Sequence, residues 1–248
     1  KFIYDSGTGG STTVGRKPNS LLLQSDQYYV AVLCLEDNRL NAALVDITGT
    51  SSLSMQLETS SSRSYIQLCQ DYIEQTVLSQ IQREQLLGIC VVVPAMIDPD
   101  KREIFSTTLN LPEKSFVEDI QQAFSKFSVN ILNDTACFAY AEKVYTHIPE
   151  KDFAFINFSK GIGATLFIRN KMLGQACASY TQFGHYSINP NGKLCSCGNR
   201  GCLEQMIGEG SLKERISQAG GSPALKKLSA VTYADLGQAS VYGDIVSR

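Results

Sequence analysis

One histidine and three cysteines lie close together near the end of the chain, in the stretch FGHYSINPNGKLCSCGNRGCLEQ. The four residues are His185, Cys195, Cys197 and Cys202. One imidazole and three thiolates are a donor set that tetrahedral zinc prefers, and a zinc ion with four protein ligands is structural rather than catalytic. We therefore predict a structural zinc site formed by these residues, here named the His/Cys cluster.

The C-x-C and C-x4-C spacings differ from those of ordinary zinc fingers, so the prediction depends on ligand density and on turn-forming residues. Three of the eight cysteines of the chain belong to the cluster. Gly192, Gly198 and Gly201 lie between the ligands, where the chain must turn sharply and where a missing Cβ removes a clash. The alternative is a glycine-rich loop in which the thiols are incidental.

The stretch from Gly184 to Glu204 also carries a family motif. Gly-His, nine further residues and then C-x-C-G-x-x-G-C-L-E resemble the signature of the ROK family (repressors, open reading frames and kinases). Weaker similarity extends over nearly the whole chain. The resemblance implies an α/β protein with the actin-like ATPase (ribonuclease H-like) fold. It also implies two lobes around a cleft and a zinc loop that braces a sugar pocket.

Hydrophobic patterning gives the same fold class independently. Tyr28–Leu35 and Arg39–Asp46 are rich in strand-forming residues and predict a hairpin. Apolar residues recur at helical spacing over residues 62–79, which predicts an amphipathic helix. Leu87–Val93 is a continuous apolar run that Pro94 ends, as expected for a strand buried on both faces of a sheet. Together these elements predict an α/β layered fold.

Composition excludes several classes of protein. The chain has 248 residues, 43% of them hydrophobic and 19% charged, which is typical of one or two globular domains. Its formal net charge of −2 argues against binding of nucleic acid by this chain alone, because phosphate contacts require concentrated lysine and arginine. No apolar run approaches the roughly 20 residues of a bilayer span, and no signal peptide is recognised. We expect a cytoplasmic protein with reduced thiols.

We divide the chain into an arm over residues 1–19, an N-terminal α/β lobe over 20–130 and a C-terminal α/β lobe over 131–248. Glycine, serine, threonine and lysine dominate the arm, which predicts a flexible segment. Its residues Ser11–Pro18 resemble the linker between the winged-helix DNA-binding domain and the body of ROK repressors. The resemblance implies a winged helix preceding this chain, and a C-terminal lobe that is truncated at its end.

The resemblance also implies a set of effector-binding residues. They are Asn110, Asn133, Asp134, Gln182, His185 and Glu204. From spacing alone, Asn133 and Asp134 fit a helix N-cap at a strand-to-helix junction, and Glu204 fits an ordinary helix-start charge. Asn110 fits a loop turn equally well. Gln182 stands where the family has a sugar-contacting glutamate, so the identity of the ligand is open.

The nucleotide-binding motifs of actin-like kinases are degraded in this chain. At the first hairpin, Cys34 stands in place of the family's aspartate, and Glu36 and Asp37 stand in place of two glycines. Two carboxylates there repel phosphate by about 1 kcal/mol each at about 4 Å in water. The second phosphate loop is altered to Ser159-Lys160-Gly161-Ile162-Gly163, without its first glycine. Loss of these nucleotide-binding residues predicts that the chain is not an enzyme.

Three functions remain open at this point. We expect the sugar- or sugar-phosphate-binding body of a ROK-type transcriptional regulator, acting on operator DNA through the winged helix and assembling as a homo-oligomer. The alternative from the enzyme class is an ATP-dependent sugar kinase with Asp134 as general base. A third possibility is a scaffold that holds zinc and binds no sugar, because Gln182 and Leu132 depart from the family pattern.

Overall fold

The computed structural model describes residues 2–8, 19–60, 64–98, 100–109, 111–112, 114–158, 161–174 and 181–218. The chain divides into two compact units, with the break after Cys137. Among the described residues, none of the helices combines the length and the apolar character that crossing a bilayer requires.

A mixed five-stranded sheet is the centre of the first unit, in the order β5-β4-β3-β6-β9. The strands are β3 (Tyr29–Glu36), β4 (Arg39–Asp46), β5 (Ser51–Glu58), β6 (Leu86–Val93) and β9 (Val129–Asn133). β3, β4 and β5 form an antiparallel meander, whereas β6 pairs parallel with both β3 and β9. The hairpin and the strand expected over residues 87–93 are therefore confirmed. Burial of this strand on both faces is not, because Leu87 is exposed and Cys90 and Val92 are only partly buried.

Buried and partly exposed residues alternate along β3 and β4, so one face of the sheet is buried. In β3, Ala31, Leu33 and Leu35 are buried, and the register places Leu33 opposite Ala42 of β4 and Val91 of β6. The helices α1 (Tyr65–Asp71) and α2 (Phe116–Ala123) contribute buried residues to the same unit, including Leu68, Phe116 and Ile120. The opposite face of β3 carries Val32 and Cys34, which are only partly covered.

The helix predicted over residues 62–79 differs in detail. Its first part, α1, begins at Tyr65 and is capped by Ser64, whose side chain accepts a hydrogen bond from the N–H of Gln67 in a capping box. After α1 the chain continues as a π-helix over Tyr72–Val77, and Tyr72, Ile73 and Val77 of this segment are buried. A hydrophobic period alone does not distinguish i−4 from i−5 hydrogen bonding, so the sequence could not reveal this change.

The predicted flexible arm is wrong for its first residues. Ile3–Thr8 forms strand β1, which pairs antiparallel with β2 (Asn19–Leu23). Composition missed β1 because its apolar residues are few and its partner strand lies eleven residues further along the chain. Residues 9–18, which include the linker-like segment, lie outside the described residues.

A short hairpin and one long helix complete the path out of the first unit. The hairpin consists of β7 (Met96–Asp98) and β8 (Glu103–Phe105). The helix α3 (Asp134–Tyr145) begins directly after β9.

The second unit contains an antiparallel three-stranded sheet. Its strands are β10 (Phe153–Phe158), β11 (Ile162–Ile168) and β12 (Lys171–Met172). β10 and β11 pair antiparallel from Phe153 opposite Phe167 to Phe158 opposite Ile162. Residues 183–205, which contain the His/Cys cluster, come after this sheet and are here named the His/Cys segment. The helix α4 (Leu203–Ile207) begins at the end of the His/Cys segment, and the helix α5 (Glu209–Gln218) comes after it. Residues 219–248 lie outside the described residues.

Candidate functional site

The structure brings the four residues of the His/Cys cluster together. One nitrogen of His185 and the sulfur atoms of Cys195, Cys197 and Cys202 all lie within 4.8 Å of one another. His185 Nδ1 is 3.6 Å from Cys195 Sγ, and Cys197 Sγ is 3.6 Å from Cys202 Sγ. Ligands about 2.3 Å from a tetrahedral zinc ion would be separated by about 3.8 Å. The cluster can therefore hold a metal ion, and its donor set fits zinc.

Backbone contacts, rather than a core, position these ligands. Isolated bridges pair Ser187 with Cys202 and Leu194 with Arg200, so two short antiparallel contacts close the loop. The N–H of Cys195 donates to the carbonyl oxygen of Asn199 over 2.8 Å. A segment with so little regular structure needs cross-linking, and a metal ion would supply it.

Two of the glycines in the loop are sterically required. Gly201 has φ +61°, and a Cβ built there would lie 1.7 Å from the carbonyl oxygen of Asn189. A Cβ on Gly192 would lie 2.7 Å from the Cα of Gly201. Gly198 has φ +90° but open space around it. The glycines singled out in the sequence are therefore turn residues, as predicted.

The thiols of the cluster differ in acidity. Burial raises the pKa of Cys195, but hydrogen bonds from the backbone of Cys197 and from His185 outweigh it and bring that pKa to about 7. Burial and the neighbouring thiols raise the pKa of Cys202 to about 12. A metal ion would require both groups as thiolates, so its binding would release protons.

One further side chain supports the cluster. Gln205 Nε2 lies 3.7 Å from Cys195 Sγ and donates to it. Such a contact from outside the ligand set orients a thiolate and tunes its basicity. No pattern in the sequence indicates this role for Gln205, which lies directly after the motif.

The structure places Asn133 at the end of β9, where its side chain caps α3. Its Oδ1 accepts a hydrogen bond from the N–H of Ala136 over 2.9 Å, and its Nδ2 donates to the carbonyl oxygen of Ala95 over 2.9 Å. The N-cap interpretation of Asn133 therefore agrees with the geometry. A capped amide still has a second Nδ2 hydrogen that a ligand could use.

Asp134, the next residue, is a partly buried carboxyl group. Its Oδ1 accepts hydrogen bonds from the N–H of Thr135 over 2.6 Å and from Thr135 Oγ1 over 3.3 Å. Burial raises the pKa of Asp134 in spite of these hydrogen bonds. A carboxyl group held at a raised pKa is suited to accept a proton or a hydrogen bond from a hydroxyl group.

Cys34 lies in the same unit as Asp134, on the half-open face of the sheet. Burial raises the pKa of the Cys34 thiol to about 11, with further contributions from Cys90, Glu36 and Asp134. The position is therefore uncharged at neutral pH. Glu36 is engaged with Arg39 across the hairpin turn, at 3.0 Å. A neutral thiol and a turn with a paired carboxylate are poorly suited to hold a metal–nucleotide complex.

Glu204, the second residue of α4, contacts the start of β11. Its Oε2 accepts a hydrogen bond from the N–H of Ile162 over 2.9 Å. A Cβ on Gly161 would lie 2.8 Å from the same oxygen. One carboxylate oxygen of Glu204 is therefore already used within the protein, a contact that the sequence did not suggest.

The remaining predicted residues are placed as follows. Gln182 is exposed and has φ 31° and ψ 38°, the left-handed conformation, directly before the short 3-10 helix Phe183–His185. Thr181 donates its hydroxyl hydrogen to the carbonyl oxygen of Ala164, which attaches this segment to β11. Asn110, Ser159 and Lys160 lie outside the described residues.

Comparison with known proteins identifies the family. Residues 37–246 match the model of the ROK family. The chain belongs to the ROK family. The xylose repressor of Bacillus subtilis is 29% identical over 219 residues, which are 87% of this chain and 56% of that protein. The chain thus spans about half the length of this relative.

Solved structures give the fold. A ROK family transcriptional regulator, described as a homologue of the Escherichia coli MLC protein, superposes with a TM-score of 0.75 at 21% identity, covering 99% of this chain and 65% of that one. A ROK family glucokinase from Streptomyces griseus, in complex with glucose and AMPPNP, gives a TM-score of 0.65 at 18% identity, covering 88% and 74%. The actin-like fold expected from the sequence is therefore confirmed.

Proposed function

We propose that this chain is the effector-binding body of a ROK-type transcriptional regulator, with a sugar or sugar phosphate as effector. The observation that carries the proposal is Cys34. A cysteine thiol is neutral at neutral pH, and burial raises the pKa of Cys34 further, whereas actin-like kinases need a carboxylate at this position beside the metal–nucleotide complex. The xylose repressor and the MLC-homologue regulator among the relatives support the same conclusion.

The residues assigned to the effector are those that the family motifs indicate. In the first unit, Asn133 and Asp134 supply an amide and a carboxyl group at the junction of β9 and α3. In the second unit, Gln182, His185 and Glu204 supply polar groups around the His/Cys segment. We assign Asn110 to the same set from its sequence alone. Carboxyl and amide groups together match the alternating donors and acceptors of a sugar.

The metal ion is assigned as zinc, with His185, Cys195, Cys197 and Cys202 as its ligands. All four coordination positions would be filled by protein, so the ion would act as a structural cross-link and would leave no position for a reacting water. Its contribution to function would be indirect, because it would fix the segment on which His185 and Glu204 lie.

Regulation would follow from differential affinity. An effector changes DNA binding only if it binds two conformations of the regulator with different affinities. The net charge of −2 makes this chain itself a poor DNA ligand, so operator DNA would be bound by a winged helix in the full-length protein. A homo-oligomer would pair two such domains on an operator with two half-sites.

Sugar binding is the first test. Isothermal titration calorimetry with pentoses, hexoses, N-acetylhexosamines and their phosphates should give saturable binding of at least one sugar. The variant Asp134→Asn should weaken that binding, because an amide cannot accept the hydroxyl hydrogen as strongly as a carboxylate. The exposed Glu150→Ala is the matched control. Failure of every sugar at millimolar concentration would favour a zinc-containing scaffold.

The second candidate is an ATP-dependent sugar kinase, and Asp134 is the observation that favours it. A partly buried carboxyl group with a raised pKa suits a general base, and a glucokinase shares the fold. A coupled ADP-release assay over the same sugars separates the two functions. We expect no turnover above the Asp134→Asn background, and robust turnover would establish the kinase instead.

A further inference from the structure

Two residues of the His/Cys segment contact the same residue of β11. Gly184 directly precedes the ligand His185, and Glu204 comes two residues after the ligand Cys202. The N–H of Ile162 donates to Glu204 Oε2 over 2.9 Å. The carbonyl oxygen of Ile162 lies so close to Gly184 that a Cβ there would be 2.2 Å from it. Ile162 is thus contacted on both its N–H and its C=O side.

Both contacts depend on where the ends of the segment lie. Ser187 and Cys202 form a bridge, and the N–H of Leu203 donates to the carbonyl oxygen of Tyr186 over 2.9 Å. These bonds join the chain directly after His185 to the start of α4. Cys202 Sγ also lies 3.3 Å from the carbonyl oxygen of His185. A metal ion bound by His185 and Cys202 would hold the chain after His185 and the start of α4 together in the same way.

We propose that Glu204 is a positioning residue that transmits the metal state of the His/Cys cluster to Ile162, the first residue of β11. With the cluster closed, Gly184 and the Glu204 carboxylate hold the backbone of Ile162 from two sides. When the cluster opens, α4 is released from Tyr186 and the carboxylate leaves the N–H of Ile162. His185 and Cys202 would hold the ion, and its effect would reach Ile162 through the close approach of Gly184 and the hydrogen bonds of Tyr186 and Glu204 rather than by direct contact.

The contact with Glu204 also determines which ligands the N–H of Ile162 can bind. The N–H of Ile162 is a backbone donor at the start of β11, flanked in sequence by Gly161 and Gly163, and a free backbone N–H can bind an anion. Glu204 occupies this donor as an internal carboxylate. An incoming phosphate would have to displace a charge-assisted hydrogen bond and would meet a negative charge beside it. The N–H of Ile162 is therefore closed to anionic ligands as long as Glu204 is in place.

Ile162 is buried and Glu204 is half-buried, so the contact is sheltered from solvent. Charge-assisted hydrogen bonds are roughly twice as strong as neutral ones, and loss of the acceptor leaves a sheltered donor unsatisfied. By thermodynamic reciprocity, if metal binding strengthens the Ile162–Glu204 contact, then loss of that contact must weaken metal binding by the same factor. This reciprocity gives the proposal two independent readouts.

Hydrogen exchange at the Ile162 amide is the first readout. In the zinc-loaded chain, Glu204→Ala should accelerate this exchange by roughly tenfold or more, because the acceptor is removed. Glu204→Gln should restore most of the protection, because its amide oxygen can accept the same hydrogen bond. Gly161→Ala should also accelerate exchange, because its Cβ would press on Glu204 Oε2 without altering Glu204 or a metal ligand. Glu150→Ala is the control.

Removal of zinc from the parent chain should expose the Ile162 amide as Glu204→Ala does. Equal exchange at Ile162 in zinc-loaded and zinc-free protein would overturn the proposal, provided that amides inside the segment, such as that of Cys195, lose their protection. The Cys195 amide donates within the segment to Asn199 and so reports the opening of the cluster itself.

Zinc affinity, measured by competition with a chromogenic chelator, is the second readout. Glu204→Ala should lower the affinity roughly tenfold, and Glu204→Gln should keep it near the parent value. Parent-like zinc affinity in Glu204→Ala would contradict the coupling. Both readouts need no sugar and no DNA, so they can fail while effector binding succeeds, and the reverse.

Discussion

Gly201 and Asn189 approach so closely that no side chain fits between them. A Cβ on Gly201 would lie 1.7 Å from the carbonyl oxygen of Asn189, and the N–H groups of Ile188 and Asn189 both donate to the carbonyl oxygen of Gly201. The backbone of Gly201 thus packs directly against the chain that follows His185. The loop between the metal ligands is closed here by backbone atoms alone.

We therefore expect Gly201→Ala to disrupt the loop and Gly198→Ala to be tolerated. Both glycines have positive φ, which costs a non-glycine residue about 1–2 kcal/mol. Only Gly201 adds a steric clash with backbone, so its substitution should lower stability by more than that and should reduce zinc content. Differential scanning calorimetry with metal analysis measures both effects. Equal losses in the two variants would contradict the steric explanation.

How far the sequence predicts this protein is clear from two contrasting positions. The His/Cys cluster was predicted because its ligands are close in sequence and its donor chemistry is distinctive. The contact of Glu204 with Ile162 joins residues forty-two positions apart, and no local pattern reports such a pairing. Glu204 was predicted only as a ligand residue or a helix-start charge, and both interpretations missed its backbone partner.

Secondary structure shows the same division. Strong periodicity located β3, β4, β6 and α1, because each buries one face against its neighbours. It missed β1, whose stability depends on pairing with β2 rather than on its own composition. Tertiary context, which decides such pairings, is not encoded in a short window of sequence.

The contribution of Asp134 to the stability of the folded chain should be less favourable at neutral pH than at acidic pH. Burial raises its pKa in the folded state, so the folded state binds this proton more tightly than the unfolded state does. The contribution of Asp134 to the free energy of unfolding is therefore greatest below its unfolded pKa of about 3.9. This contribution falls as the pH rises through the raised pKa of the folded state. Asp134→Asn should therefore raise the midpoint of urea unfolding at pH 7.

The gain from Asp134→Asn should shrink as the pH is lowered toward 4, because the parent carboxyl group becomes protonated there. Asp26→Asn, an exposed substitution, serves as the control for the general effect of removing one negative charge. A stability gain that is independent of pH would show that desolvation of the Asp134 charge is not its cause.

Cys34→Asp should destabilise the chain and should not create a kinase. The position is sheltered enough to raise the thiol pKa to about 11, and Glu36 and Asp134 already contribute negative charge near it. A third carboxylate should lower stability by roughly 1–3 kcal/mol at pH 7, and by less at pH 4.5 where carboxylates begin to protonate. Urea unfolding at the two pH values measures the difference.

Cys34→Ser is the matched control for Cys34→Asp, because it introduces a polar group of similar size without charge. The proposed regulator function predicts no ADP release from either variant. ATP turnover by Cys34→Asp would mean that the rest of the nucleotide site is intact, contrary to the repulsion expected from Glu36 and Asp37.

Cys197→Ser should lower both metal content and thermal stability. Cys197 Sγ lies 3.6 Å from Cys202 Sγ, and a hydroxyl group in its place is a much weaker ligand for zinc. The segment has few backbone bridges of its own, so loss of the cross-link should reduce the melting temperature by several degrees. Metal analysis after gel filtration, followed by thermal unfolding, measures both quantities.

Cys90→Ser is the control for Cys197→Ser, because it removes a thiol from the five-stranded sheet and leaves the His/Cys cluster intact. It should keep the metal content of the parent even if it changes the melting temperature. Addition of a strong chelator to the parent should then reproduce the melting temperature of Cys197→Ser, since both lack the cross-link. Equal zinc occupancy in Cys197→Ser and the parent would mean that the cysteine cluster does not hold the metal ion.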